Sequence, residues 1–190
     1  MTDQIQTARI VPLEPPYSPE VEEMLRKWMP PEAGVQPLAL FRTLVVHEAL
    51  ATRMRPLGAA ILGHGLLEPR DRELMIDRTC ARCGAEYEWG VHATFFGPSV
   101  GLTERQLEAT VNGPADDPVW SERERAVLTL ADELHDTAEV SDGVYAELER
   151  YFTPDQILEL VVTAGWYHTI SFVIGAARIP LEPWAARFPA

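Results

Sequence analysis

The sequence predicts an all-α protein, because apolar residues recur at helical spacing over most of the chain and no segment shows the strict alternation of a half-buried β-strand. Helix-start signals support this prediction. At Thr103, Ser121 and Thr153, a hydroxyl residue is followed three positions later by Glu or Gln, which is the pattern of a capping box. Together these patterns predict about seven or eight helices.

The first part of the chain is rich in proline, so residues 1–37 are predicted to form an extended arm with one short helix. Ser18 followed by Pro19 is typical of an N-cap residue and a first helical position. Apolar residues then follow at helical spacing up to Trp28. Residues 38–190 are predicted to form a single helical domain.

Three stretches in the first half of this domain are predicted to be helical. The apolar periodicity indicates one or two helices over residues 38–63, with Pro56 expected to kink or divide them. The next helix is predicted to begin at Pro69 and to end near Gly84, where glycine favours a helix C-terminus. Residues 86–96 form the helix after it.

The second half continues in the same way. A short helix is predicted from the Thr103 capping box to residue 112, and further helices are predicted to start at Ser121, Ser141 and Thr153. The last of them is apolar almost all round. Such a helix lies in a protein core or in an interface between subunits.

Composition narrows the range of functions. The chain has 190 residues, of which 46% are hydrophobic and 24% charged, and these values are typical of one globular domain. A net charge of -13 argues against a nucleic-acid partner. We expect no membrane partner and a cytoplasmic location, because the sequence shows no secretory signal and no apolar run of about 18 residues. It also has no glycine-rich phosphate loop, and no cofactor is predicted.

Glu88 and His92 are the first candidates for catalytic residues. Residues four apart project from one face of a helix, so the carboxylate can orient the imidazole and raise its basicity while the imidazole transfers a proton. The same spacing also occurs in ordinary solvent-exposed pairs. Tyr87 and Trp89 flank Glu88 and are candidates for binding a substrate.

Cys80 and Cys83 are the second candidate. In a cytosolic chain the spacing C-x-x-C indicates a redox pair, metal ligands or small buried side chains. The dipole of the following helix is expected to lower the pKa of Cys83. Zinc would require Cys80, Cys83, His92 and a fourth ligand, and no second Cys or His pair stands at the spacing of a zinc finger. No metal site is therefore predicted.

The segment Cys-Gly-Ala-Glu-Tyr-Glu-Trp-Gly-Val-His at residues 83–92, together with Arg-Glu-Leu at 72–74, resembles the carboxymuconolactone decarboxylase family, which includes the alkylhydroperoxidase D-like proteins. The resemblance extends to residues 38–44, 124–134 and 158–168. It implies an alkylhydroperoxidase D-like helical bundle. It also implies that the subunits associate, as dimers, trimers or hexamers.

Within this family the peroxidase branch carries a Glu, eleven intervening residues and then Cys-x-x-Cys-x-x-x-His. Aligning the final histidine with His92 puts Glu88 and Ala85 at the two cysteine positions and Glu73 at the glutamate position. The resemblance therefore implies that both redox cysteines of that branch are missing from their places. The decarboxylase branch has a Glu four residues before its His, as this chain does.

The sequence thus favours a decarboxylase-like enzyme that transfers protons on a small organic acid or lactone without a cofactor. His92 is predicted to move the proton, Glu88 to orient and tune it, and Glu73 to complete the relay. Two alternatives remain: a hydroperoxide reductase that uses Cys80 and Cys83, and a non-catalytic helical oligomer that binds a small ligand. The candidate substrate-binding residues are Tyr87, Trp89, Arg72 and His168. Arg78 also flanks Glu73 and is a second candidate for holding a substrate carboxylate.

Overall fold

A computed structural model describes residues 7–29 and 34–190. These residues form α-helices and short 3-10 turns with no β-strand among them, which confirms the all-α prediction. The α-helices are α1 Pro19–Trp28, α2 Ala39–Leu44, α3 Glu48–Gly63, α4 Pro69–Arg82, α5 Glu86–Phe95, α6 Glu104–Asn112, α7 Glu122–Thr137, α8 Asp142–Leu148 and α9 Pro154–Ala177.

The capping signals place most helix starts correctly. Thr103 and Ser121 each form a complete capping box at the start of α6 and α7. The box at Thr153 is only half formed. Its backbone N–H donates to Gln156 Oε1 at 3.0 Å, but the N–H of Gln156 donates to Asp155 Oδ1 at 3.2 Å instead of to Thr153.

The stretch over residues 38–63 divides at a different place from the one predicted. The break is a 3-10 turn at Val45–His47, and Pro56 lies inside the single helix α3. His47 has non-helical backbone angles, and its ring Nδ1 accepts a hydrogen bond from the N–H of Leu50 at 3.4 Å, so it serves as the N-cap of α3. Pro56 costs this helix only the hydrogen bond to the carbonyl of Thr52.

The chain forms two compact units. Among the described residues, one unit contains residues 7–29, 34–64 and 173–183, and the other contains residues 65–172 and 184–190. The second unit holds α4 to α8, most of α9 and a hydrophobic core centred on Leu74, Leu130 and Leu160, all of them fully buried. The division predicted from sequence, into an arm of residues 1–37 and a domain of residues 38–190, stays a prediction.

α4 is the central helix of the second unit and packs against α5, α6 and α7. Its buried charged side chains hold these helices in place. Arg78 forms a bidentate ion pair with Asp132 of α7 at 2.7 and 2.8 Å. The same guanidinium donates to the carbonyls of Thr110 and Gly113 at 3.0 and 2.9 Å. Arg78 is therefore committed to structure, contrary to its candidate role in holding a substrate.

By length and composition, α9 could cross a membrane, and half of the relevant window is buried inside the structure. The sequence argument that no apolar run reaches this length is therefore wrong for α9. The core helix of a soluble protein meets the same criterion. The burial of Leu160, Ala164 and Tyr167 explains why α9 is so apolar.

Candidate functional site

Five ionisable side chains meet in the interior of the second unit, and we call them the acid–base cluster. They are Glu73 and Asp77 of α4, Glu88 and His92 of α5, and Tyr167 of α9. All five are buried, with exposed fractions between 0% for Glu73 and 6% for Glu88. Each of α4 and α5 contributes two residues one helical turn apart, so helical spacing aims both at the same point.

Both nitrogens of the His92 ring have polar neighbours. Nδ1 lies 2.7 Å from Glu73 Oε2, and Nε2 lies 3.1 Å from the Tyr167 hydroxyl and 3.7 Å from Glu88 Oε1. The other oxygen of Glu73 accepts a hydrogen bond from Arg72 Nε at 3.1 Å. Glu73 therefore orients the ring and directs Nε2 toward Glu88 and Tyr167.

A close approach by the C-terminal segment helps to cover α5. A Cβ on Gly90 would lie 2.2 Å from the carbonyl oxygen of Ala186, so only glycine permits this contact. The N–H of Ala186 donates to Thr94 Oγ1 at 2.9 Å, and the ring of Phe188 packs on Trp89 with centroids 5.4 Å apart. These contacts contribute to the exclusion of water from α5.

The electrostatics of the cluster favour bound protons. Burial by itself would lower the pKa of His92, but the carboxylates of Glu73, Glu88 and Asp77 outweigh burial and the net shift is upward. Burial raises the pKa of Glu88, and it raises the pKa of Asp77 well above its usual value. Burial and the mutual charges of the cluster therefore favour the protonated forms of His92, Glu88 and Asp77.

Several polar atoms of the cluster have spare hydrogen-bonding capacity. Within the part of the chain that the structure describes, Glu88 Oε2 and both carboxyl oxygens of Asp77 have no hydrogen-bond partner. A buried, unpaired carboxylate is costly, and protonation reduces that cost. Burial also raises the pKa of Tyr167 far above its usual value, so its phenol keeps its proton. Glu88 Oε2 therefore has unused hydrogen-bonding capacity inside the cluster.

The residues predicted to bind substrate lie in different surroundings. Trp89 donates from Nε1 to Thr110 Oγ1 at 2.9 Å, and Arg72 is engaged by Glu73. Tyr87 is buried, with 2% of its surface exposed. His168 lies 3.1 Å from His135 and outside the acid–base cluster. Substrate-binding roles for these four residues stay predictions.

Both cysteines are free thiols. Cys80 is completely buried, and burial raises its pKa well above the usual value. Burial also raises the pKa of the half-buried Cys83, against opposing effects of Ser171 and Arg82. The expected lowering by a helix dipole is therefore wrong, because Cys83 is the C-cap of α4 and lies at the end that disfavours a negative charge.

Sequence reasoning found Glu73, Glu88 and His92 but missed Asp77 and Tyr167. Asp77 stands four residues after Glu73, and that spacing could have indicated a shared helix face. Tyr167 lies 75 residues from His92, and only tertiary packing brings the two together.

A family match and several solved structures support the all-α fold described above. Residues 48–133 match the model of the family described as the carboxymuconolactone decarboxylase family, a region that includes Glu73, Glu88 and His92. No curated protein matches the chain. The solved structures described below are less than 25% identical to this chain, so they are evidence for the fold alone.

Three of these structures illustrate the likeness. An uncharacterised peroxidase-related protein from Silicibacter sp. TM1040 has a TM-score of 0.79 at 15% identity, with all of both chains covered. The debrominase Bmp8, as a Cys-to-Ala variant with 2,3,4-tribromopyrrole, has a TM-score of 0.77 at 17% identity over 94% of each chain. A protein of unknown function from Agrobacterium tumefaciens, described as a candidate antioxidant defence protein AhpD, has a TM-score of 0.63 at 22% identity over 69% of this chain and 89% of its own.

Proposed function

From the carboxymuconolactone decarboxylase family, to which this chain belongs, we propose an enzymatic function: cofactor-independent proton transfer at a carbon next to a carbonyl group. The proposed substrate is a small organic acid or lactone, and the reaction is a decarboxylation or an isomerisation. The observation that supports this proposal is the buried chain of contacts from Glu73 through His92 to Tyr167 and Glu88. Such a chain can hold a proton at a defined position away from water.

In a decarboxylation, the bond between the substrate carboxylate and its neighbouring carbon breaks, and carbon dioxide leaves. The electron pair of that bond stays on the carbon and is delocalised onto the adjacent carbonyl. The carbon then takes a proton from Nε2–H of His92 or from the neutral carboxyl of Glu88. Water returns the proton to the donor. In an isomerisation, the same groups remove a proton from one carbon and return it to another.

Each residue has a distinct proposed role. His92 and Glu88 are the proton donors, because Nε2 and Oε1 are 3.7 Å apart and the pKa of each side chain is raised. Glu73 is a positioning residue that acts through Nδ1 of His92. Tyr167 holds Nε2 and, as a phenol that keeps its proton, can donate to a substrate oxygen.

The proposal is tested by incubating the full chain with β-keto acids and with unsaturated lactones in deuterated water. Carbon dioxide release and deuterium incorporation report the reaction directly. Replacing His92 by Gln should lower turnover by about 10²- to 10⁴-fold, the usual contribution of a general acid or base. Unchanged turnover in that variant would refute the proposal. Binding measured by calorimetry without any turnover would favour a non-catalytic ligand-binding protein instead.

One observation favours a second candidate, a thiol-dependent hydroperoxide reductase. Cys83 Sγ lies 3.8 Å from His135 Nδ1, so an imidazole stands beside one of the two thiols, as it does beside many activated cysteines. In such a reaction two thiols reduce a hydroperoxide to an alcohol and water and become a disulfide. The raised pKa values of Cys80 and Cys83 argue against it, because the thiolate is the nucleophile.

An organic hydroperoxide separates the two candidates. Reduced protein is mixed with it, and free thiols and peroxide are counted over time, with Cys83→Ser as the control variant. We expect both thiols to persist. Loss of two thiols per chain with rapid peroxide consumption, absent in the control, would establish the reductase. Brominated pyrroles belong in the same assay, because the structural neighbour Bmp8 is a debrominase.

A further inference from the structure

A second cluster of polar side chains, distinct from the acid–base cluster, joins three distant parts of the sequence. It consists of Cys83 at the end of α4, His135 of α7 and His168 of α9, all of them half-buried. Cys83 Sγ is 3.8 Å from His135 Nδ1, which is 3.1 Å from His168 Nε2. One ligand atom from each residue lies within 4.8 Å of the other two.

We propose that Cys83, His135 and His168 form a binding site for one divalent transition-metal ion, with zinc as the best fit. Zinc prefers thiolate sulfur and imidazole nitrogen, whereas magnesium and calcium prefer oxygen. The proposed proton transfer uses none of these three residues. The proposal therefore stands or falls independently of the proposed function.

The distances between the ligand atoms support the proposal. Tetrahedral zinc with Zn–N near 2.0–2.1 Å and Zn–S near 2.3 Å separates two nitrogens by about 3.3 Å and a nitrogen from sulfur by about 3.6 Å. The observed separations of 3.1 and 3.8 Å lie within a few tenths of an ångström of these values. The third pair, Cys83 Sγ and the ring nitrogen of His168, lies within 4.8 Å, and side-chain rotations that shorten this separation would bring all three atoms around one ion.

The ring of His168 is already held in the orientation that a ligand needs. Its Nδ1 lies 2.9 Å from the carbonyl oxygen of Ala164, a hydrogen bond in which Nδ1–H donates. That bond fixes the tautomer in which Nε2 carries a free lone pair. Metal-binding histidines are usually supported by a second hydrogen bond of this kind.

The charges around His135 also suit a cation. Asp132 and Asp136 are the acidic groups near His135, and Arg82 is the basic one. Arg82 is itself paired with Asp136 at 2.5 Å and with Asp132 at 3.5 Å, so its charge is balanced beside the site. When the metal binds, the Nδ1 proton of His135 moves to Nε2 and the thiol of Cys83 loses its proton.

Three protein ligands leave one position of a tetrahedral ion open. Structural zinc sites use four protein ligands, whereas catalytic sites use three and keep the fourth for water or a substrate. The ligand set thus indicates a site that can bind an exogenous molecule. It also predicts that bound zinc protects Cys83 from oxidation, because the metal holds the thiolate lone pair.

The site is tested with the metal-free, reduced full-length protein. Titration with Zn²⁺ should show one ion bound per chain and a release of protons, because the Cys83 thiol ionises on binding. Titration with Co²⁺ should give a thiolate-to-cobalt charge-transfer band and the intense visible bands of a tetrahedral ion. The cobalt spectrum needs no variant, so it stays informative even if a substitution disturbs folding.

Variants then identify the ligands. Replacing Cys83 by Ser, His135 by Ala or His168 by Ala should weaken zinc binding by more than about 100-fold, since even residues behind the ligands contribute 10- to 100-fold. The matched controls Cys80→Ser and His64→Ala should bind zinc as the unaltered protein does. Circular dichroism verifies that each variant is folded.

Three results would contradict a metal site at Cys83, His135 and His168. Zinc affinity that survives replacement of Cys83 and both histidines, or a cobalt spectrum without a thiolate band, would overturn the site. A loss of binding in His64→Ala that matches the loss in His135→Ala would show binding by scattered surface histidines instead.

Discussion

At the scale of single residues, Glu73 determines how the acid–base cluster can work. One carboxylate oxygen accepts a hydrogen bond from Arg72, and the other lies 2.7 Å from Nδ1 of His92. With both oxygens engaged and no exposed surface, Glu73 has a fixed position. Its charge is what favours the imidazolium form of His92 over the neutral ring that burial alone would favour.

Replacing Glu73 by Gln should therefore lower the pKa of His92, because the shape of the side chain is kept while its negative charge is lost. The imidazole signals of His92 followed by NMR over a pH titration report this shift directly. If the enzyme is active, the basic limb of its pH–rate profile should move to lower pH as well. The exposed Glu149 provides the control, and its replacement by Gln should leave the titration of His92 unchanged. An unaltered His92 titration in Glu73→Gln would contradict this account.

Tyr167 offers a second test at this scale. Its hydroxyl is the partner of His92 Nε2 at 3.1 Å in a fully buried setting, and removing it leaves a polar atom unsatisfied. We expect Tyr167→Phe to lower the free energy of unfolding by about 1–3 kcal/mol. Urea unfolding followed by circular dichroism measures the change. Tyr145→Phe on α8, where the ring is 41% exposed, should have no measurable effect. Equal stabilities of the two variants would show that the Tyr167 hydroxyl makes no net contribution.

The helices show which features a sequence can predict. The Thr103 and Ser121 capping boxes fixed the starts of α6 and α7, because both partners of each box lie within three residues of one another. The break at Val45–His47 was not predictable in the same way, since it depends on the conformation of His47 and no proline or glycine marks it. The same limit applies to the site. Spacing along α5 indicated Glu88 and His92, because both lie on one helix. Tyr167, and the pairing of His135 with His168, depend on contacts between helices that are distant in the sequence.

α4 carries an unusual share of charged residues for a buried helix. Glu73 and Asp77 serve the acid–base cluster, while Arg78 and Asp71 hold neighbouring parts of the chain. Asp71 pairs with Arg123 of α7 at 2.6 Å, so the buried residues Asp71 and Arg78 both join α4 to α7 through ion pairs. These pairs fix the position of α4, which in turn fixes where Glu73 meets His92.

Arg78→Met should therefore be strongly destabilising. The substitution leaves the Asp132 carboxylate without its bidentate partner and the carbonyls of Thr110 and Gly113 without a donor. Removing one partner of a buried ion pair costs about 3–5 kcal/mol, and Asp132 is partly exposed, so we expect a loss near the lower value. The urea midpoint is the measurement. Arg26→Met on α1 breaks an exposed ion pair with Glu23 and should leave the midpoint unchanged. A midpoint for Arg78→Met equal to that of the unaltered protein would refute the structural role of Arg78.

At the scale of the whole molecule, the buried cluster should determine how stability depends on pH. His92, Glu88 and Asp77 all have pKa values raised above their usual values in the folded protein. A group of this kind binds its proton more tightly when folded than when unfolded. Its contribution to stability is complete below the pKa of the unfolded chain and is lost as the pH rises through the folded pKa. Glu124 and Asp117, whose pKa values are lowered, act in the opposite direction at acidic pH. Burial lowers the pKa of His135 as well, so this single ring opposes the three raised groups nearer to neutral pH.

The free energy of unfolding should therefore be larger at about pH 5.5 than at about pH 8.5, by about 1.4 kcal/mol for each pH unit of this range that lies between the unfolded and the folded pKa of such a group. The net charge of -13 produces a trend of the same sign, because repulsion between negative charges grows as the remaining protons leave.

The salt concentration separates the effect of the buried cluster from the effect of surface charge. Concentrated sodium chloride screens repulsion between exposed charges but acts little on groups that are buried. Urea unfolding at both pH values in high salt should retain most of the difference, and Glu88→Gln should reduce it, because that side chain no longer titrates. A difference that disappears in high salt would assign the pH dependence to surface charge and leave the buried cluster without a measurable part in it.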